Sequence, residues 1–301
     1  MWHDTCKNQR GRTLNGAALI LKWLNGRLNV TGLSWLQTSH DAIAAGDKTA
    51  LFRAFSLAPR KVGKADLNLS ADSLADAQQV RPGWDPSRWS IDQATRAFFV
   101  SIWPASSSED YVAVLDQLYA TSGVEELVAL YQALPILPFP PAHRLRAAEG
   151  VRTNMKPVFA AIATHNPYPA EQLEEMAWNQ MVLKCLFVDV SIIDVQGIWE
   201  RSNPHLAQML FQYAKERWAA KRVVNPLLWY AIGPHADGKI LESYQKLLRA
   251  TTTWDRQAAV LALQATPTEE ARRIEQENAD LIAQIRQTSF TWPTIAAEFR
   301  S

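Results

Sequence analysis

The 301-residue chain is predicted to be all-α on three observations. Apolar residues recur at helical spacing over most of its length, capping signals stand in front of those segments, and alternating strand patterns are essentially missing. The β-branched pairs Ile192-Ile193 and Val223-Val224 fall in connections. About eleven helices joined by short turns rich in proline and glycine favour antiparallel helical hairpins, and so a HEAT-like α-α superhelix or a compact α-solenoid.

In chain order, residues 1–12 read as a polar N-terminal tail, 13–265 as one all-helical domain, and 266–301 as a charged C-terminal helix and tail. The first apolar run, Ala17 to Leu21, is cut by Lys22, and Asp4 stands where a secretion signal would be basic. A helix over Leu51 to Pro59 gathers Arg53, Arg60, Lys61 and Lys64 at its end, where cations satisfy free carbonyls. Lys61 to Arg88 is the longest irregular stretch, a covering loop with a short helix over 70–79. Ser90 with Gln93, Ser122 with Glu125, and Thr266 with Glu269 read as capping boxes. Asn203-Pro204 and Asn225-Pro226 pair a capping side chain with proline at the first helical position, where its missing N–H does no harm. Behind these starts lie apolar stripes: Leu206, Leu210, Tyr213 and Trp218, then Ile240, Tyr244, Leu247 and Leu248, then Val260, Leu261 and Leu263. From Thr266 to Gln287 a thin stripe of Ile274, Leu281, Ile282 and Ile285 runs through strongly charged sequence, giving a solvated helix or a partner-binding one.

Composition narrows the function classes. Lys plus Arg total 31 against 30 Asp plus Glu, so a net charge of +1 offers no global attraction to nucleic acid or to an anionic membrane. Cys6 and Cys185 are too few and too isolated for a disulfide framework or a zinc cluster, which points to the cytoplasm. No run approaches the ~20 apolar residues that span a bilayer. The 12 tryptophans are scattered, as packing anchors are. His3, His40, His143, His165, His205 and His235 form no helical ligand pair, and His165 and His235 fit helix ends. The acidic pairs Glu109-Asp110, Glu125-Glu126, Glu174-Glu175 and Glu269-Glu270 complement first-turn amides rather than holding magnesium. With no phosphate loop and no nucleophile elbow, the reading carries no cofactor, no metal and no catalytic residue.

The stretch from Arg146 to Phe187 is the candidate site. Val151, Met155, Phe159 and Ile162 recur as one helical stripe, with Glu149, Arg152, Asn154 and Lys156 on other faces. The stiff linker Asn166-Pro167-Tyr168-Pro169 follows, and then Trp178 to Val188 reads as a helix apolar nearly all round with Asn179, Gln180 and Lys184 inside it. Buried amides and ammonium groups are costly unless paired, so an acid such as Glu149 neutralises Lys184, or these groups face a ligand. The candidate binding residues are therefore Arg146, Glu149, Arg152, Asn154, His165, Asn166, Tyr168, Trp178, Asn179 and Lys184. Packing of the Arg146, Glu149 and Arg152 surface against Trp178, Asn179 and Lys184 would make a water-poor pocket of mixed charge.

The same residues carry a resemblance. Leu127-Val128-Ala129-Leu130-Tyr131-Gln132-Ala133-Leu134-Pro135, Arg146-Ala147-Ala148-Glu149-Gly150-Val151-Arg152-Thr153-Asn154, His165-Asn166-Pro167-Tyr168-Pro169 and Trp178-Asn179-Gln180-Met181-Val182-Leu183-Lys184, in this order and spacing, resemble the EboA family. The likeness extends more weakly to Arg53-Ala54-Phe55 and to Tyr213-Ala214-Lys215-Glu216-Arg217-Trp218. It implies a cytoplasmic protein of a gene cluster for secondary-metabolite traffic, encoded beside a membrane prenyltransferase and hydrolase- or isomerase-like proteins. The expected role is a non-enzymatic adaptor or carrier for a small aromatic or prenylated metabolite moving from cytoplasm toward periplasm. It would work with the other proteins of the cluster, peripheral at the inner membrane through a partner. The alternatives are an enzyme with a dispersed site and a protein scaffold.

Overall fold

The structure, a computed structural model, describes residues 15–300, without the Arg300 side chain, so the expected tail over 1–12 and Cys6 lie outside the described residues. Among the described residues there are eighteen α-helices and no strand, and the chain is all-α as the periodicity requires. None of these helices is long and apolar enough to cross a membrane. The chain divides between Glu174 and Glu175 into two compact units.

The first unit holds α1 (Gly16–Asn25), α2 (Val30–Ala44), α3 (Lys48–Val62), α4 (Ala71–Val80), α5 (Ile91–Ser101), α6 (Ser108–Thr121), α7 (Val124–Ala133), α8 (Arg144–Arg152), α9 (Lys156–Ala163) and α10 (Tyr168–Gln172). Within it α3 packs on α5, α5 on α7 and α7 on α9, so every second helix joins one row, as in arrays of helical hairpins. Phe55, Phe98, Phe99, Leu130, Phe159 and Ile162 fill that row and are buried. The second unit holds α11 (Glu175–Phe187), α12 (Pro204–Ala219), α13 (Leu228–Ile232), α14 (Gly238–Leu247), α15 (Thr253–Ala265), α16 (Glu269–Glu277), α17 (Ala279–Ile285) and α18 (Trp292–Arg300). Here α15 is the centre, packed by α13, α14, α16, α17 and α18.

Local chemistry explains where the helices begin and end. Ser90 N–H donates to Gln93 Oε1 at 2.9 Å, the reciprocal half of a capping box, and Asn203 accepts from Leu206 N–H at 2.8 Å in front of Pro204. Two expected starts are displaced. Glu126, not Glu125, takes the N–H of Gly123 at 2.9 Å to open α7, and Thr268, not Thr266, caps α16 through Ala271 N–H at 3.1 Å. Thr266 closes α15 instead, its hydroxyl donating to Ala262 O at 2.8 Å. Asn225 shapes a turn by accepting from Leu227 N–H at 3.0 Å, so the following helix starts only at Leu228. The stripe on α12 is Leu206, Ala207, Leu210, Phe211 and Ala214, leaving Trp218 38% exposed.

The helix expected to end at Pro59 continues to Val62. Proline has no N–H for the carbonyl one turn back, and that carbonyl, Phe55 O, accepts instead from Arg96 Nε at 3.0 Å. Arg96 is itself buried, paired with Asp92 at 2.8 Å and lying over the Phe55 ring. The stretch after α3 is anchored rather than loose: Leu67 N–H donates to Trp89 O at 2.8 Å and Ile91 N–H to Ala65 O at 2.9 Å. The charged C-terminal helix is two helices broken at Asn278, which is buried and accepts from Arg249 at 2.8 Å.

Candidate functional site

The stripe read through Val151, Met155, Phe159 and Ile162 is interrupted in the structure. Pro157 cannot donate to the carbonyl of Thr153, so α8 stops at Arg152 and α9 restarts with proline in its first turn, leaving Met155 39% exposed between them. That break, with α6 and α7, shapes a cleft of about 410 Å³ lined by Tyr119, Leu127, Tyr131, Arg146, Glu149, Arg152, Thr153, Met155 and Val158. Three expected site residues, Arg146, Glu149 and Arg152, meet here.

Arg146 organises this cleft. Its guanidinium lies 4.6 Å above the centroid of the Tyr119 ring, and Nη2 and Nη1 donate to Asp116 at 2.6 Å and Glu149 at 2.5 Å. Tyr119 stacks at a tilt on Tyr131, 5.1 Å between centroids, and Tyr131 donates its hydroxyl hydrogen to Arg146 O at 3.3 Å. Burial raises both phenols, Tyr131 to about 12. The Tyr119 hydroxyl is buried and has no hydrogen-bond partner among the described residues. Gly150 makes the arrangement fit, because a Cβ there would stand 2.4 Å from Cε1 of Tyr131.

The other faces of α7 and α9 line a second cleft, of about 390 Å³. Its body is apolar, from Trp89, Val124, Val128, Pro157, Ala160 and Ala161, and its polar groups include Asp85, Arg88, Gln93, Glu125, Gln132, Thr164, His165 and Asn166. His165 sits past the end of α9 with φ +56°. A left-handed conformation is costly for a residue with a Cβ, and two bonds to Asp85 hold it. His165 Nδ1 lies 2.8 Å from Asp85 Oδ2, and Asp85 N–H donates to His165 O at 3.2 Å. That side-chain bond holds the Asp85 carboxyl well below the usual carboxylate range, against the upward push of burial. Asn166 is structural: its amide donates to Tyr131 O at 3.0 Å and accepts from Tyr168 N–H at 3.0 Å. Tyr168 is fully buried and donates to Pro140 O. Asn154 is exposed in the break between α8 and α9.

The remaining candidates lie in the second unit. Trp178 is fully buried with the Arg201 guanidinium 5.1 Å over its ring. Asn179 exchanges amide hydrogen bonds with Asn203 at 2.9 and 3.2 Å, tying α11 to the cap of α12. Lys184 is half-buried, and desolvation lowers its pKa. The helix is not surrounded by protein: Gln180 is exposed and Phe187 is 64% exposed. Nor is Glu149 in a water-poor setting, with its side chain 60% exposed and its charge met by Arg146. Tyr119, Tyr131, Asp85, Trp89 and Gln132 were not among the expected site residues, although Tyr131 and Gln132 stand in the first block of the resemblance. The one residue-level signal, which concerns Tyr131 alone, was Gly150 inside a helix, where glycine marks a close approach.

These features define an all-helical protein whose first unit carries two small clefts on the two faces of one packed helix pair, α7 and α9. The chain belongs to the EboA family: the family model described as metabolite traffic protein EboA matches residues 17–233. No curated protein and no solved structure matches it. Both clefts fall inside the matched span, and α14 to α18 follow it.

Proposed function

We propose that the protein is a non-enzymatic helical carrier or adaptor in secondary-metabolite traffic, assisting a precursor on its way from cytoplasm toward periplasm. The cargo is a small aromatic or prenylated compound held in the Arg146 cleft. Other proteins of the metabolite gene cluster, a membrane prenyltransferase among them, deliver or receive it, and they keep this cytoplasmic protein peripheral at the inner membrane.

The observation that carries this reading is the stack of Arg146 on Tyr119 beside Tyr131, with a buried phenol that has no partner among the described residues. Its outer guanidinium face, with Leu127, Met155 and Val158, suits a planar or branched apolar body. A volume within the ~300–1,000 Å³ of small-molecule sites agrees with that use. The two carboxylates on Arg146 hold its plane in place, so little order is lost on binding.

The test is incubation of purified protein with pathway intermediates, followed by recovery of the bound fraction. The reading expects one intermediate to be recovered unchanged in mass at one per chain, and Arg146→Gln to weaken its binding by about tenfold. Turnover to a product of different mass would make the protein an enzyme instead, and no uptake of any intermediate would remove the carrier reading.

A further inference from the structure

We infer that the second cleft is a distinct binding site for an apolar molecule bearing a hydroxyl group, which donates its hydrogen bond to Oε1 of Gln132. Val124, Val128, Pro157, Ala160 and Ala161 with the Trp89 ring give this cleft an apolar body. Its oxygens are nearly all in use. Gln93 Oε1 accepts from Ser90 N–H, Asn166 Oδ1 from Tyr168 N–H, Asp85 from His165 and Ser87, and Glu125 from Lys64.

Gln132 Oε1 differs, being buried with no hydrogen-bond partner among the described residues. An acceptor withdrawn from water without a donor is unfavourable, and a ligand hydroxyl placed against it repairs the loss. Gln132 lines the cleft, and its amide ends a side chain whose last torsion is broad, so a turn of that torsion presents Oε1 to a ligand lying along α7. Apolar surface then supplies affinity while one acceptor selects for the donor. The neighbouring Asp85 and His165 clasp fixes the rim of the cleft at the end of α9.

Calorimetric titration of the full chain with 1-naphthol and with 1-methoxynaphthalene tests this, since the second probe keeps the rings and loses the donor. The expected result is binding of 1-naphthol about tenfold or more tighter than its methyl ether. Gln132→Leu should bring the two affinities together, chiefly by weakening 1-naphthol, and Ala161→Trp, which fills this cleft alone, should abolish the preference. Tyr119→Phe, in the other cleft, should leave the preference intact. That control separates failure here from failure of the carrier reading. Equal affinities in the parent protein, a preference that survives Gln132→Leu, or no binding of either probe would overturn the inference. Circular dichroism establishes that Ala161→Trp still folds, and Gln132→Leu carries the test if it does not.

Discussion

Gly150 and Tyr131 are so closely packed that one methyl group decides whether the Arg146 cleft keeps its shape. Gly150→Ala should cost about 1–3 kcal/mol in urea unfolding, the usual range for forcing an atom into a filled site. Gly238, the first residue of α14, meets nothing among the described residues within 4 Å of a Cβ, so Gly238→Ala should be neutral or slightly stabilising. Equal costs at the two glycines would contradict the packing described. Asp85 gives a pH test. A carboxyl whose folded pKa is depressed contributes stability that is fully present above its unfolded value of about 3.9 and is lost as pH falls from there toward the folded value. The stability gap between the parent and Asp85→Asn should therefore be smaller at about pH 3 than at about pH 5. A gap that did not change with pH would mean that the clasp on His165 adds nothing in the folded state. Neither Asp85 nor its partner was legible as a pair, because the contact joins residues 80 apart in sequence and no local pattern encodes it.

At the scale of elements, caps were the readable signals and breaks were not. Ser90 and Asn203 stand where side-chain oxygens predict helix starts, while the boxes assigned to Ser122 and Thr266 slipped because a second capping residue lies one or two positions on. The stripe across Val151 to Ile162 hid a break because periodicity continues through it. Pro157 was the sign of that break, since a proline in the interior of a helix removes a hydrogen bond. Pro59 shows why that sign is not decisive: Arg96, an invisible partner 41 residues away, rescues the freed carbonyl and the helix runs on. Among polar residues predicted to be buried, Asn179 is buried, but its amide is spent on the α12 cap rather than on a ligand. Asn203→Ala removes the cap and leaves Asn179 unpaired, so it should cost about 1–2 kcal/mol in chemical denaturation. A loss under about 0.5 kcal/mol would show that water replaces both bonds.

For the whole molecule, the all-α class and the EboA family were both legible in the sequence, the first from periodicity and the second from four ordered blocks. What those blocks do physically was not. Arg146, Glu149 and Arg152 converge on a cleft, but its aromatic floor comes from Tyr119 on α6 and Tyr131 on α7, brought in by packing of the helical row. His165 and Asn166 line the opposite face of the same helix pair, while Trp178, Asn179 and Lys184 belong to the second unit. A stretch continuous in sequence is thus shared among separate surroundings, because each helix turns different side chains to different neighbours. The central claim is that the Arg146 cleft carries a small molecule, and native mass spectrometry of the protein purified from cells expressing its pathway tests it most directly. The account predicts a mass increment of one small organic compound, released on denaturation, strongly depleted in Arg146→Gln and retained in Lys184→Ala. Protein that arrives empty while bound to other pathway proteins, or a compound retained by Arg146→Gln, would contradict it.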